Sequence, residues 1–264
     1  MDKIGDKEQR KKEVIGENIF SVPFNLEEIQ ENLTINTNSS DKFSKEQLIN
    51  NAVKLYSESK IEEAAKCYQD LLDKGFTDQK IFYNYGIILK ELGNLRKAEI
   101  LTRRAIELES NSSNSYTNLG AILREIGKLE EAKTYTLKAI DIDPMEAISH
   151  VNLGAILKDL GQLEESELSF RKAISLDSDL VIAYFNLGIV LKDLGKIDEA
   201  DNYMRKSIEI NPNLVQAHYH LSILLSKNNK YQEALFQIKK AIEKDPTNHV
   251  YQGEKTRIQL ILKI

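Results

Sequence analysis

Apolar positions in this chain repeat on two length scales. Over a dozen residues they mark one face of a helix: Tyr184, Leu187, Gly188 and Leu191 fall within about 100° of one another at 3.6 residues per turn. Over longer distances the triplets Asn84 to Gly86, Asn118 to Gly120, Asn152 to Gly154 and Asn186 to Gly188 recur every 34 residues. Extending that frame places Asn50-Asn51-Ala52 and His220-Leu221-Ser222 in register, which gives six units: 45–78, 79–112, 113–146, 147–180, 181–214 and 215–248. Positions are numbered below from the first residue of a unit. Glycine stands at position 15 in four units (Gly93, Gly127, Gly161, Gly195) and Asn229 in the last. A helix that ends in positive φ needs such a residue, so helix A stops there. A second helical run, helix B, follows. It carries small residues at position 20 (Ala64, Ala98, Ala132, Ser166, Ala200, Ala234) and mostly at position 27, which lets neighbouring helices approach closely. Pro144, Pro212 and Pro246 close three of the units.

This pattern resembles the tetratricopeptide repeat family, and the resemblance covers about four-fifths of the chain. It implies an all-α fold: a right-handed superhelical solenoid of six helix-turn-helix repeats, with the A helices lining its concave side. The first unit departs from the pattern at Asn51 and Leu71, and His150 and His218 stand where an aromatic residue is usual. Beyond residue 248 the frame is lost. The segment 249–264, ending in Ile258, Leu260, Ile261, Leu262 and Ile264, is expected to form a C-terminal capping helix. Residues 1–44 read as a mostly flexible N-terminal segment, with a short helix capped by Asn25 and an apolar stretch at Phe20, Val22, Pro23 and Phe24 that is a candidate internal ligand.

Composition removes several function classes. The 41 acidic and 36 basic residues are interspersed without a basic stripe, which argues against nucleic acid as a partner. Met1 to Glu17 lacks an apolar signal core and no stretch approaches a membrane span, so a cytoplasmic location without membrane association is expected. The lone Cys67 is expected to be buried as a small apolar residue. His218 and His220 are two apart on a helix and face different ways, which is poor geometry for a metal site. Gly188, Gly195 and Lys196 have the wrong spacing for a phosphate loop. The expectation is therefore no enzyme, no catalytic residue, no metal and no cofactor.

A binding surface is the remaining candidate. Position 6 faces away from the core positions of helix A and is Asn50, Asn84, Asn118, Asn152 and Asn186, then His220. Asparagine is a mediocre helix former, so an exposed helix position gains nothing from it. Its amide offers two donors and an acceptor that complement a peptide backbone of any sequence. The ladder resembles the inner surface of the repeat domain of O-linked N-acetylglucosamine transferases, which implies a grip on an extended ligand. Nearby positions add Ile148, Val151, Ile182 and Phe185, and further along Ile189, Tyr219 and Ile223, as side-chain contacts. Lysine or arginine followed by an acid at positions 12 and 13 reads as a solvated helix end. The expected function is a protein- or peptide-binding scaffold or adaptor. The substrate-recognition module of a multi-part enzyme and a self-assembling structural protein are the alternatives.

Overall fold

A computed structural model describes residues 45–263. The described residues form thirteen helices: α1 (Lys45–Ser57), α2 (Ile61–Asp73), α3 (Gln79–Glu91), α4 (Leu95–Leu108), α5 (Ser113–Ile126), α6 (Leu129–Ile142), α7 (Ala147–Asp159), α8 (Leu163–Leu176), α9 (Val181–Asp193), α10 (Ile197–Ile210), α11 (Val215–Lys227), α12 (Tyr231–Lys244) and α13 (His249–Ile261). The odd-numbered members from α1 to α11 are the A helices, and α2 to α12 the B helices. Each packs on the next along the chain, an all-α helical solenoid. The expected helix at Asn25 and the apolar stretch at Phe20 lie outside the described residues.

Local chemistry sets the helix ends. Asp78 accepts a hydrogen bond from the Ile81 amide at 2.9 Å, and Asn248 accepts from the amides of Val250 and Tyr251. These side chains satisfy amide groups that a helix start leaves open. Gly127 ends α5 at φ 89°, and Asn229 takes the equivalent place after α11 at φ 60°. Asparagine enters the left-handed region more readily than other non-glycine residues, which explains the replacement. Ser59 holds the same position in the first unit, also at positive φ.

Helix B packs on helix A through small residues. Position 20 is fully buried in all six units, and so are Ala105, Ala139, Ala173, Ser207 and Ala241 at position 27. At Gly154 the Phe170 ring of α8 comes so close that an added Cβ would sit 2.9 Å from Phe170 Cζ. The Ser166 hydroxyl, also in α8, donates to the Gly154 carbonyl at 2.7 Å and so is satisfied inside the core. His150 and His218 keep no aromatic role. Their Nε2 atoms lie 3.0 and 3.1 Å from the carbonyls of Pro144 and Pro212, and Gln252 donates to the Pro246 carbonyl at 3.2 Å. The first residues of each following helix are thus tied to the proline turn six residues earlier. Cys67 is half-buried rather than enclosed.

A repeated ionic clasp joins successive B helices. Arg103 in α4 bonds to Glu99 at 2.9 Å, to Glu131 of α6 at 2.6 Å and to the Tyr135 hydroxyl at 3.0 Å, and Lys128 closes on Glu99 at 2.9 Å. The same arrangement recurs at Arg171 with Glu167, Glu199, Tyr203 and Lys196, and Arg205 repeats most of it with Asp201 and Glu233. A lone surface pair adds little, but a bidentate arginine shared by several partners is the geometry in which such pairs count. At the α6–α8 step, Leu137 holds the arginine position and is 41% exposed, and Lys133 bonds instead to Gln162.

The apolar core changes character at that same step. One cluster runs from Ala52 to Ile122 and another from Val151 to Ile258, with a small group around Leu119, Leu123, Ala132 and Ile156 between them. Between α5 and α7 the contact is polar. Thr117 lies 2.6 Å from Ser149, and Glu146 accepts from Thr117, Ser113 and Ser149. From α7 onward the corresponding contacts are apolar. Ile258 of α13 is fully buried against the last repeat, with Tyr251 and Leu262 packed on the same cluster.

Candidate binding groove

The asparagines at position 6 are not on an open surface. Asn84, Asn118, Asn152 and Asn186 are 8%, 1%, 1% and 2% exposed; Asn50 and His220, at the two ends, are half-buried. Reasoning from a single helix misses the neighbouring A helices, which close over this position. Asn84 Nδ2 donates to the Tyr68 hydroxyl at 3.0 Å, and Asn152 Nδ2 reaches the Thr117 carbonyl at 3.5 Å, each time in the preceding unit. Part of the ladder therefore joins one repeat to the next. The Asn186 Oδ1 is buried and has no hydrogen-bond partner among the described residues.

The apolar candidates divide the same way. Val151 and Phe185 are 1% exposed, and Ile182 and Ile189 are buried with them, sealing α7, α9 and α11 against one another rather than lining an open surface. They are core residues, because adjacent A helices approach closely enough to share positions 2, 5 and 9. Ile148, Tyr219, His220 and Ile223 remain half-buried. The accessible apolar surface is thus concentrated on α11. There the His220 ring meets Phe185 and Tyr219 edge-on at centroid distances of 5.5 and 5.3 Å, and Tyr219 lies 4.9 Å from Tyr251 of α13.

The electrostatics of this face come from positions 12 and 13, where Lys90 and Arg124 are not solvated helix ends. Lys90 pairs with Glu125 at 3.5 Å and Arg124 with Asp159 at 2.5 Å, in each case one unit further on, and the Tyr56 hydroxyl bonds to Glu91 in the same manner. The Lys90 and Arg124 side chains are buried below a tenth of their surface, so the pairs lie between helices. Burial lowers the Lys158 pKa. Burial, then the positive charges of Lys192 and Lys158, lower that of His220 to about 4, so its ring is neutral at neutral pH.

Sequence reasoning did not find the arginine clasps or this staggered ladder. The signal was present as an acid four residues before Arg103, Arg171 and Arg205, with a glutamate 28 residues after each.

Models of the tetratricopeptide repeat match residues 79–112 and 181–214, a further TPR repeat model matches 154–195, and another tetratricopeptide model matches 101–134 and 203–236. Together they span more than half of the chain. The chain belongs to the tetratricopeptide repeat family. Comparison with curated protein sequences found no match. Among solved structures, this tetratricopeptide chain is similar to one in the crystal structure of the APC/C hetero-tetramer Cut9-Hcn1, with a TM-score of 0.74 and 14% identity over 80% of this chain and 42% of that one. It is similar to pilF of Pseudomonas aeruginosa, with a TM-score of 0.65 and 21% identity over 70% of this chain and 84% of that one. It is also similar to YrrB, described as a TPR protein with an unusual peptide-binding site, with a TM-score of 0.54 and 22% identity over 73% and 99% of the two chains. At these identities the likeness establishes the fold. No helix among the described residues is long and apolar enough to cross a membrane.

Proposed function

We propose that this tetratricopeptide protein is a scaffold that holds an extended segment of a partner protein along its A helices. Repeats of this family generally serve as protein-interaction scaffolds. The observation that carries the reading is Asn186. A buried carbonyl oxygen without a donor costs about 1–3 kcal/mol, so native proteins rarely keep one unless water or a ligand completes it. One water that donates to this oxygen and accepts from a peptide N–H supplies that donor. The half-buried Tyr219, His220 and Ile223 lie on the next A helix, so side-chain contacts adjoin the backbone contact. Spacing agrees as well: A helices about 10 Å apart match about three residues of extended chain. Asn84 and Asn152, which bond to the preceding repeat, stiffen the scaffold. YrrB, of the same fold, is described as having a peptide-binding site, which supports the same class of ligand here.

The test is selection from a phage library of random peptides with the full chain as bait. Peptides should be enriched. Asn186→Ala should then weaken all of them alike, by about two- to twelvefold, the loss of one hydrogen bond worth about 0.5–1.5 kcal/mol. No enrichment, or unchanged affinity in the variant, rejects the reading.

A further inference from the structure

The staggered charge ladder breaks its rule at the C-terminal end. From Tyr56 onward, the residue at position 12 of one unit engages the acid at position 13 of the next: Tyr56 with Glu91, Lys90 with Glu125, Arg124 with Asp159. Carried forward, the rule gives Lys158 the acid Asp193, whose negative charge does act on Lys158. It then gives Lys192 residue 227, which is Lys227, an exposed cation. The following unit also lacks a cation at position 12. Ser226 stands there and accepts from Arg257 of α13 at 2.7 Å.

Lys192 therefore turns to Asp193, its own chain neighbour, at 3.2 Å. Asp193 serves Lys158 at the same time. Arg257 is held by Glu254 at 2.7 Å, so that pair adds no net charge. At the end of the ladder Arg124, Lys158 and Lys192 thus share Asp159 and Asp193, one cation more than acids, on the face where α11 carries its half-buried aromatic residues. The Lys192 side chain is 21% exposed, against 6% for Lys90 and 9% for Arg124, so this cation is the more accessible to a partner. His220 lies beside the same cations: burial first, then the charges of Lys192 and Lys158, disfavour its protonation and leave a neutral ring there.

We propose that Lys192 is a specificity subsite for an acidic side chain of the bound segment, whose carboxylate takes the place that Glu125 and Asp159 take for Lys90 and Arg124. The inference rests on the groove-binding reading above and adds a residue preference to it. The favoured ligand is an extended segment carrying Asp or Glu at one fixed spacing from the apolar residues that meet Tyr219 and Ile223. An ion pair this exposed contributes modestly, so the selectivity for Glu over Gln at that place is about fivefold and weakens with salt.

The same phage library is selected separately on the full-length protein, on Lys192→Gln and on Lys192→Glu. The wild-type pool should show Asp or Glu at one position. The Lys192→Gln pool should keep its apolar residues and lose that acid, and the Lys192→Glu pool should take Lys or Arg there instead. A wild-type pool without an acidic position, or an acidic position that survives in both variants, overturns the subsite while leaving groove binding intact. Failure of the wild-type protein to enrich any peptide overturns both.

Discussion

Substituting alanine at two glycines should move stability in opposite directions. Both lie inside helices, where alanine is favoured over glycine by about 0.8–1.0 kcal/mol. At Gly253 in α13 an added Cβ meets nothing within 4 Å, so Gly253→Ala should gain that amount. At Gly154 in α7 the same carbon would lie 2.9–3.0 Å from three atoms of the Phe170 ring, closer than carbon atoms pack. Phe170 is fully buried, and the ring cannot swing into solvent to make room. Overpacking of this kind costs about 1–3 kcal/mol, and the rigid ring places it near the upper end. The net expectation for Gly154→Ala is a loss of about 1–2 kcal/mol. Urea unfolding followed by helical circular dichroism measures both variants. A double mutant with Phe170→Leu separates overpacking from other causes, because the alanine should then cost less than it does beside phenylalanine. Equal stabilisation at both glycines, or an alanine penalty that is unchanged beside leucine, refutes the packing argument.

Two further outcomes follow from the polar contacts. Arg171→Ala should lose about 1 kcal/mol or somewhat less at low salt, with the difference from wild type shrinking in urea unfolding at high salt, since its partners Glu167, Glu199 and Tyr203 lie on two helices. His220 should titrate near pH 4 in an NMR experiment on the folded protein. Its folded pKa is below its unfolded one, so the contribution of the neutral ring is fully present above about pH 6.5 and is lost as pH falls from there toward 4.

The helices and their order were legible in the sequence because each depends on contacts inside one unit. The left-handed backbone at Gly127 and Asn229, and the burial of every residue at position 20, follow from period and residue size alone. The surface was less legible. A helical wheel drawn for one A helix leaves Asn118, Val151 and Phe185 facing outward, but α7, α9 and α11 cover one another and bury them. What decides exposure there is the distance between repeats, which no single repeat encodes. The charges misled for the same reason. Lys90 and Glu91 are neighbours in the chain, yet each pairs with a different unit, with Glu125 and Tyr56 respectively. Of the groove candidates, Asn50, Ile148, Tyr219, His220 and Ile223 are half-buried and the others are buried.

The central claim, that a partner segment lies along the A helices, is tested most directly by photo-crosslinking. A benzoylphenylalanine is placed either at Ile223 on α11 or at Phe236 on α12, a B-helix residue 57% exposed, and each protein is irradiated with a peptide selected by the unmodified chain. The account predicts crosslinks from position 223 and none from 236. Crosslinks from 236 with none from 223 contradict it.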